Sequence, residues 1–235
     1  MSQEIVIADL PRLGSALVND FETEKRRAID ARGRFAVALP GGSVGMNLFT
    51  HLAGHRFDWS LTDFFWVDER AVPPSDRESN FGLALSTWLE PARVPPERLH
   101  RMKADDPDLS RSARAYADEL SVLVGHPPRL DHVLLGVGAD GHVASLFPGH
   151  PATANEQDLV LAVDDAPTPP RRRLTLTMPV LAGAVRLVVA AFGREKAHAI
   201  YEALRNPESS LPVAIATRRA HRPLFLLDPE AGALL

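Results

Sequence analysis

Four segments hold most of the groups able to do acid–base or anion chemistry. They are Gly41-Gly42-Ser43, Asp68-Glu69-Arg70, Gly138-Ala139-Asp140-Gly141-His142 and Gly193-Arg194-Glu195-Lys196. A histidine beside a carboxylate makes a reasonable general base, because its pKa lies near neutrality. The glycine pair lets backbone N–H groups approach an anion, and a helix starting there adds a favourable dipole. The same residues also suit an ordinary tight turn. They form neither a Walker loop nor a dinucleotide fingerprint, so nucleotide binding is not supported. Arg171-Arg172-Arg173 is the one dense basic run: a solvated turn, or the source of one arginine reaching into an anion site. Lys196 opens a helix, where the dipole disfavours a cation and a bound anion relieves the conflict. Ser145 lies near His142 but lacks a Gly-x-Ser-x-Gly elbow, so it is not expected to be a nucleophile. The nine histidines show no paired ligand spacing and cysteine is absent. Metal sites, thiol nucleophiles and disulfides are therefore not expected.

The elements that must position these groups are legible from periodicity. Asp9 is a helix N-cap with Pro11 in the first turn, followed by Leu10, Leu13, Leu17 and Phe21 at helical spacing. Phe35 to Leu39 is a short apolar strand ending in the glycine pair, with Met46, Phe49 and Leu52 on a helix beyond. Phe64 to Val67 is a strand ending in Asp68-Glu69-Arg70, and Leu83, Trp88 and Leu89 fit a helix after it. Leu109, Ala113, Tyr116, Leu120 and Leu123 make an amphipathic helix, and His132 to Leu135 is a strand. Leu159–Val163, Leu174–Met178, Leu187–Phe192 and Pro223–Leu227 are further strands, with a helix from about Glu195 to Leu204. Alternating strands and helices, several strands being continuously apolar, predict an α/β fold. Its sheet is parallel, with helices on both faces. A parallel sheet would bring all four polar segments to one edge, where ligands bind in such folds. Asp164 to Pro170 is the best candidate for a flexible loop or lid. No composition shift or repeat divides the chain, so residues 1–235 are expected to form one domain.

The 235 residues suit that size. Lys and Arg number 26 against 30 Asp and Glu, a net charge of −4. That argues against a general nucleic-acid binder or an anionic-membrane binder, but says nothing about one local cleft. The start Met1-Ser2-Gln3-Glu4 lacks a basic region followed by an apolar core, and no apolar stretch approaches the ~20 residues of a membrane span. A soluble cytoplasmic protein with no obligate protein partner is the expectation.

Taken together, several segments resemble the superfamily of 6-phosphogluconolactonase and glucosamine-6-phosphate deaminase. They are Leu39-Pro40-Gly41-Gly42-Ser43, Val67-Asp68-Glu69-Arg70, Ser79-Asn80-Phe81, Leu134 through Gly149, Arg173 through Thr177, Gly193 through Ala197, and Leu211-Pro212-Val213. They occur in family order over nearly the whole chain. After His142 the deaminase branch usually continues Phe-Asn-Glu-Pro, whereas here Ser145-Leu146-Phe147-Pro148 follows. Arg70 stands where the deaminase tends to have tyrosine. Both choices resemble the lactonase branch. One departure is the glycine loop, which usually continues Ser-Thr-Pro but here runs Ser43-Val44-Gly45, with no hydroxyl at Val44.

The resemblance implies a single Rossmann-like α/β domain with a mostly parallel sheet and helices on both faces. It also implies hydrolysis of 6-phospho-D-glucono-1,5-lactone to 6-phosphogluconate, in the oxidative pentose phosphate pathway, without cofactor or metal. It implies that His142 takes a proton from water, with Asp140 or Asp68 orienting it. Arg70 serves the developing oxyanion or the phosphate, and Gly41, Gly42, Ser43, Arg173 and Lys196 hold the phosphate. The alternatives are an amino-sugar-phosphate deaminase/isomerase, in which Asp68 would move a proton between carbons, and a non-catalytic sugar-phosphate sensor.

Overall fold

A computed structural model describes residues 3–55 and 57–235. Met1 and Ser2, which begin the segment read above for a leader, lie outside the described residues. The chain runs β1 (Glu4–Ile7), α1 (Leu10–Arg32), β2 (Phe35–Leu39), α2 (Gly42–Ala53), β3 (Thr62–Trp66), β4 (Asp68–Arg70) and α3 (Asn80–Ala84). It continues with α4 (Leu109–Val124), β5 (His132–Gly136), β6 (Val160–Val163), β7 (Arg173–Leu176), α5 (Met178–Ala182) and β8 (Arg186–Ala191). Last come α6 (Ala197–Arg205), α7 (Pro212–Arg219) and β9 (Pro223–Leu227). The Asp9 carboxylate accepts the Arg12 N–H at 3.1 Å and starts α1, whose Leu13, Leu17 and Phe21 are buried.

Six strands form a wholly parallel sheet in the order β1-β9-β8-β5-β2-β3. Every residue of β2, β3, β8 and β9 is buried, which requires cover on both faces. α2 packs with α1 and α3 in one group, and α7 with α5 and α6 in another. The α/β, Rossmann-like class is the one the chain adopts. Among the described residues no helix is long and apolar enough to cross a membrane.

Several local expectations are corrected. The strands near residues 160 and 174 do not join the parallel sheet. They are β6 and β7, which pair antiparallel with each other, while β7 also pairs with β4. Asp68-Glu69-Arg70, where the expected Phe64–Val67 strand ends, is itself a strand. The strand expected to reach Met178 ends at Leu176, because Pro179 favours the first turn of a helix and α5 opens there. The helix expected from Glu195 begins as a 3₁₀ turn over Arg194–Lys196, and α6 starts at Ala197. Within the Pro-rich stretch the Ala166 N–H donates to the Arg171 carbonyl at 3.0 Å and Ala166 is buried, while Asp164, Asp165, Pro167, Thr168 and Pro169 are exposed. β1 and α7 give no clear periodic signal; β1 is an edge strand whose residues are mostly exposed.

Strand order reverses between β5 and β2. From β2 the chain steps outward to β3, and from β5 it steps the other way to β8 and β9. The loops after β2 and β5 diverge at this point, so a crevice opens beyond their carboxyl ends. Val67 joins the two sheets. Its N–H donates to the Leu39 carbonyl at 2.9 Å, and its carbonyl accepts the Leu176 N–H at 2.8 Å. That junction carries Asp68 and Arg70 to the mouth of the crevice.

Candidate active site

The crevice is a cavity of about 180 Å³. That is below the roughly 300–1,000 Å³ of drug-sized sites and suits a small polar ligand. Gly41, Gly42, Ser43, Asp68, Arg70, His142, Arg173 and Lys196 all line it, together with Asn80, Gly138 and Ala144. Asp140 alone of the residues expected at the site is not in the lining; it stands behind the imidazole.

The glycine loop opens α2, whose first N–H groups have no acceptor within the helix. Gly41 is required by close approach: a Cβ there would lie 1.7 Å from the Asn80 Oδ1. Ser43 is exposed at the mouth, whereas Val44 is buried and turned to Gly136. Val44 thus packs against Gly136 beneath the loop and also lines the crevice.

Alternation along β4 sorts its three charges. Asp68 and Arg70 line the crevice, and Glu69 points the other way. The buried Glu69 carboxylate accepts the N–H groups of Arg70, Asn80 and Phe81 at 2.7–2.8 Å and the Ser79 hydroxyl at 3.0 Å. Burial raises its pKa, against those N–H groups. Glu69 thus fastens the start of α3 to β4 and places Asn80. Asn80 Nδ2 donates to the Asp68 carbonyl at 2.9 Å and to its Oδ1 at 3.0 Å. Arg70 Nη1 donates to the Glu78 carbonyl at 3.0 Å, and its buried Nε has no acceptor among the described residues.

His142 Nδ1 lies 2.6 Å from Asp140 Oδ1, and the same oxygen accepts the His142 backbone N–H at 3.2 Å. The carboxylate assigns the proton to Nδ1 and leaves Nε2 as the acceptor. Burial raises the Asp140 pKa, but the charge and hydrogen bonds of His142 outweigh it and hold the carboxyl below its ordinary value. Asp68, the other carboxylate weighed for this duty, bonds Asn80 and Ser145 instead. Gly138 makes room for the pair: a Cβ there would lie 2.0 Å from His142 Nδ1 and 2.4 Å from Asp140 Oδ1. The turn is braced from outside by the Val213 N–H, which donates to the Gly141 carbonyl at 3.0 Å.

Arg173 is 3% exposed. Its Nε donates to the Pro170 carbonyl at 2.8 Å and its Nη2 to the Thr168 carbonyl and hydroxyl, both at 3.0 Å. The guanidinium lies 5.5 Å from the Phe147 ring centre, and burial pulls its pKa down. Lys196 closes its 3₁₀ turn at the start of α6, its Nζ 3.9 Å from Glu195 Oε1. Sequence reasoning did not assign Asn80, Ser145, Glu69 or Thr168 to the site. Asn80, Ser145 and Glu69 lie within the segments that carry the family resemblance, which is the one signal pointing to them, and Thr168 lies in none of those segments. Among the described residues no group of three His, Asp or Glu side chains is disposed to hold a metal ion.

The arrangement joins an imidazole base, oriented by a carboxylate, to a crevice rich in anion donors. Such a site can activate water against an electrophile carried by an anionic ligand. The family model described as glucosamine-6-phosphate isomerases/6-phosphogluconolactonase matches residues 8–225. The 6-phosphogluconolactonase of Streptomyces coelicolor is 38% identical over 99% of this chain and 94% of that protein. Its namesake from Mycobacterium tuberculosis is 38% identical over 88% of each. The solved 6-phosphogluconolactonase of Trypanosoma brucei superposes with a TM-score of 0.88 at 27% identity, covering 100% of this chain and 99% of that one.

Proposed function

The chain belongs to the glucosamine-6-phosphate isomerase/6-phosphogluconolactonase family, and from that membership we propose how its cleft works. It is a hydrolase that opens 6-phospho-D-glucono-1,5-lactone to 6-phosphogluconate, a step of the pentose phosphate pathway. The observation that carries the residue assignment is the His142–Asp140 pair at the edge of the anion-donor crevice.

His142 Nε2 takes a proton from water as the oxygen attacks the lactone carbonyl carbon. Asp140 stabilises the imidazolium that forms. The tetrahedral intermediate collapses, the ester bond to the ring oxygen breaks, and that oxygen takes the proton back from His142. The new carboxylic acid ionises, so each turnover releases one proton. The N–H groups of Gly41, Gly42 and Ser43, together with Lys196 and Arg173, hold the phosphate as charge-assisted donors. Arg70 adds a cation to the same cleft. Asp68 lies off the proton path, held by Ser145 and Asn80. No metal or cofactor takes part.

The whole chain acts as one domain. The protein works in the cytoplasm, where doubly charged sugar phosphates are made and retained, and needs no nucleic acid, membrane or protein partner. The experiment is a proton-release assay with freshly generated 6-phosphogluconolactone, run beside glucosamine 6-phosphate with ammonia detection. Accelerated proton release without ammonia is the expected result; ammonia production without lactone hydrolysis refutes the reading.

A further inference from the structure

We propose that Ser145 is a positioning residue: its hydroxyl is a spacer that keeps Arg173 from pairing directly with Asp68. The inference rests on the reading that Arg173 binds the substrate's phosphate.

Three buried side chains meet beside the crevice. Ser145 is 0% exposed, Asp68 5% and Arg173 3%. The Ser145 hydroxyl donates to Asp68 Oδ2 at 2.7 Å and accepts from Arg173 Nη1 at 3.4 Å, a long contact. A hydroxyl has one hydrogen and two lone pairs. With the hydrogen committed to the carboxylate, only an acceptor faces the guanidinium, so the order Arg173, Ser145, Asp68 has one polarity. Neither charge touches the other, although both are buried and opposite in sign.

Counting donors shows what the spacer protects. A guanidinium has five N–H groups. Pro170 takes one, Thr168 takes two and Ser145 takes one. The remaining N–H, on Nη1, is the only one left for a ligand in the crevice that Arg173 lines. Removing the hydroxyl strips Asp68 Oδ2 of its donor, and leaving a buried carboxylate short of partners is costly. Arg173 Nη1 is the cation already beside it, so both of its hydrogens turn to Asp68. A substrate-binding cation then becomes a structural counter-ion. The backbone does not depend on this side chain, because the Ser145 N–H donates to Thr175 Oγ1 at 3.2 Å.

The test measures 6-phosphogluconate affinity by calorimetry in a double-mutant cycle, with thermal unfolding run on each variant. Ser145→Ala should weaken binding about 10-fold, but less than twofold in the Asp68→Asn background, where no buried anion competes for Arg173. Losses that simply multiply across the cycle overturn the proposal, since a merely structural serine would behave so. So does Ser145→Ala binding as tightly as the wild type while Arg173→Ala binds weakly. If Arg173→Ala itself binds normally, the phosphate reading fails and the spacer falls with it. If Ser145→Ala does not fold, Ser145→Cys, a weaker donor of similar size, runs the same cycle.

Discussion

Gly138→Ala adds one methyl group behind His142, the proposed base, and tests the geometry more sharply than deleting that side chain does. The new Cβ would lie 2.0 Å from His142 Nδ1, 2.3 Å from its Cε1 and 2.4 Å from Asp140 Oδ1. Contacts below 3.0 Å are essentially never seen for real Cβ atoms, so the imidazole must retreat by about 1 Å or more (3.0 − 2.0). Gly138 is not among the glycines with positive φ, so alanine meets no backbone strain there. The fold should therefore survive while the base is displaced. A misplacement of about 1 Å in a catalytic group can cost roughly 10²-fold in rate, or about 2.7 kcal/mol at 1.36 kcal/mol per decade. The proton-release assay should show kcat down about 100-fold. Product affinity should change by less than threefold, because the anion donors lie on other loops. A folded Gly138→Ala protein with kcat within twofold of the wild type would refute the assignment of the His142–Asp140 pair as the working base.

Three further outcomes are expected. His142→Ala should lower kcat by roughly 10²–10⁴, the usual worth of a positioned base, with phosphogluconate still binding; near-normal turnover in a folded protein excludes the role. Lys196→Ala should remove a charge-assisted contact of about 1.5–3 kcal/mol, lowering kcat/KM for the phosphorylated lactone about 10-fold to over 100-fold. The slow hydrolysis of unphosphorylated gluconolactone should hardly change, and equal fractional losses on the two substrates would place Lys196 at the carbonyl or in the fold. Away from the cleft, His100 sits 3.1 Å from Asp63 and 2.8 Å from Glu119. Burial pulls its pKa down, but the two carboxylates outweigh it and raise it to about 9. The folded value exceeds the unfolded one of about 6.5, so the stabilisation is complete below pH ~6.5 and lost as pH rises through ~9. Each kcal/mol lost should lower Tm by about 2–4 °C. His100→Gln should flatten that decline in thermal unfolding scans from pH 6 to 10, and an undiminished decline would show that other groups cause it.

Fold class and most of the cleft's lining are legible in the residues alone. Continuous apolar runs such as Phe35–Leu39 and Leu187–Phe192 mark strands buried on both faces. In a parallel sheet the segments that follow such strands share one edge, so Gly41, His142 and Lys196 could be placed together before any contact was known. Asp9 and Pro11 likewise announced the start of α1 through chemistry confined to one turn. Which partner each polar side chain takes is set only by contacts between distant segments. Asp140 and Asp68 were equal candidates to orient His142, and only the turn at Gly138 selects the first. Asp68-Glu69-Arg70 carries no strand signal of its own because a three-residue strand is too short to show a period, and its antiparallel partner β7 lies about a hundred residues further on. Ser145 gave no signal of its own, since its bond to Asp68 spans 77 positions. Periodicity records how a segment divides between core and solvent, which is a local balance of apolar burial. Hydrogen-bond partners across distant loops depend on where the sheets bring those loops, and no local pattern of residues carries that information.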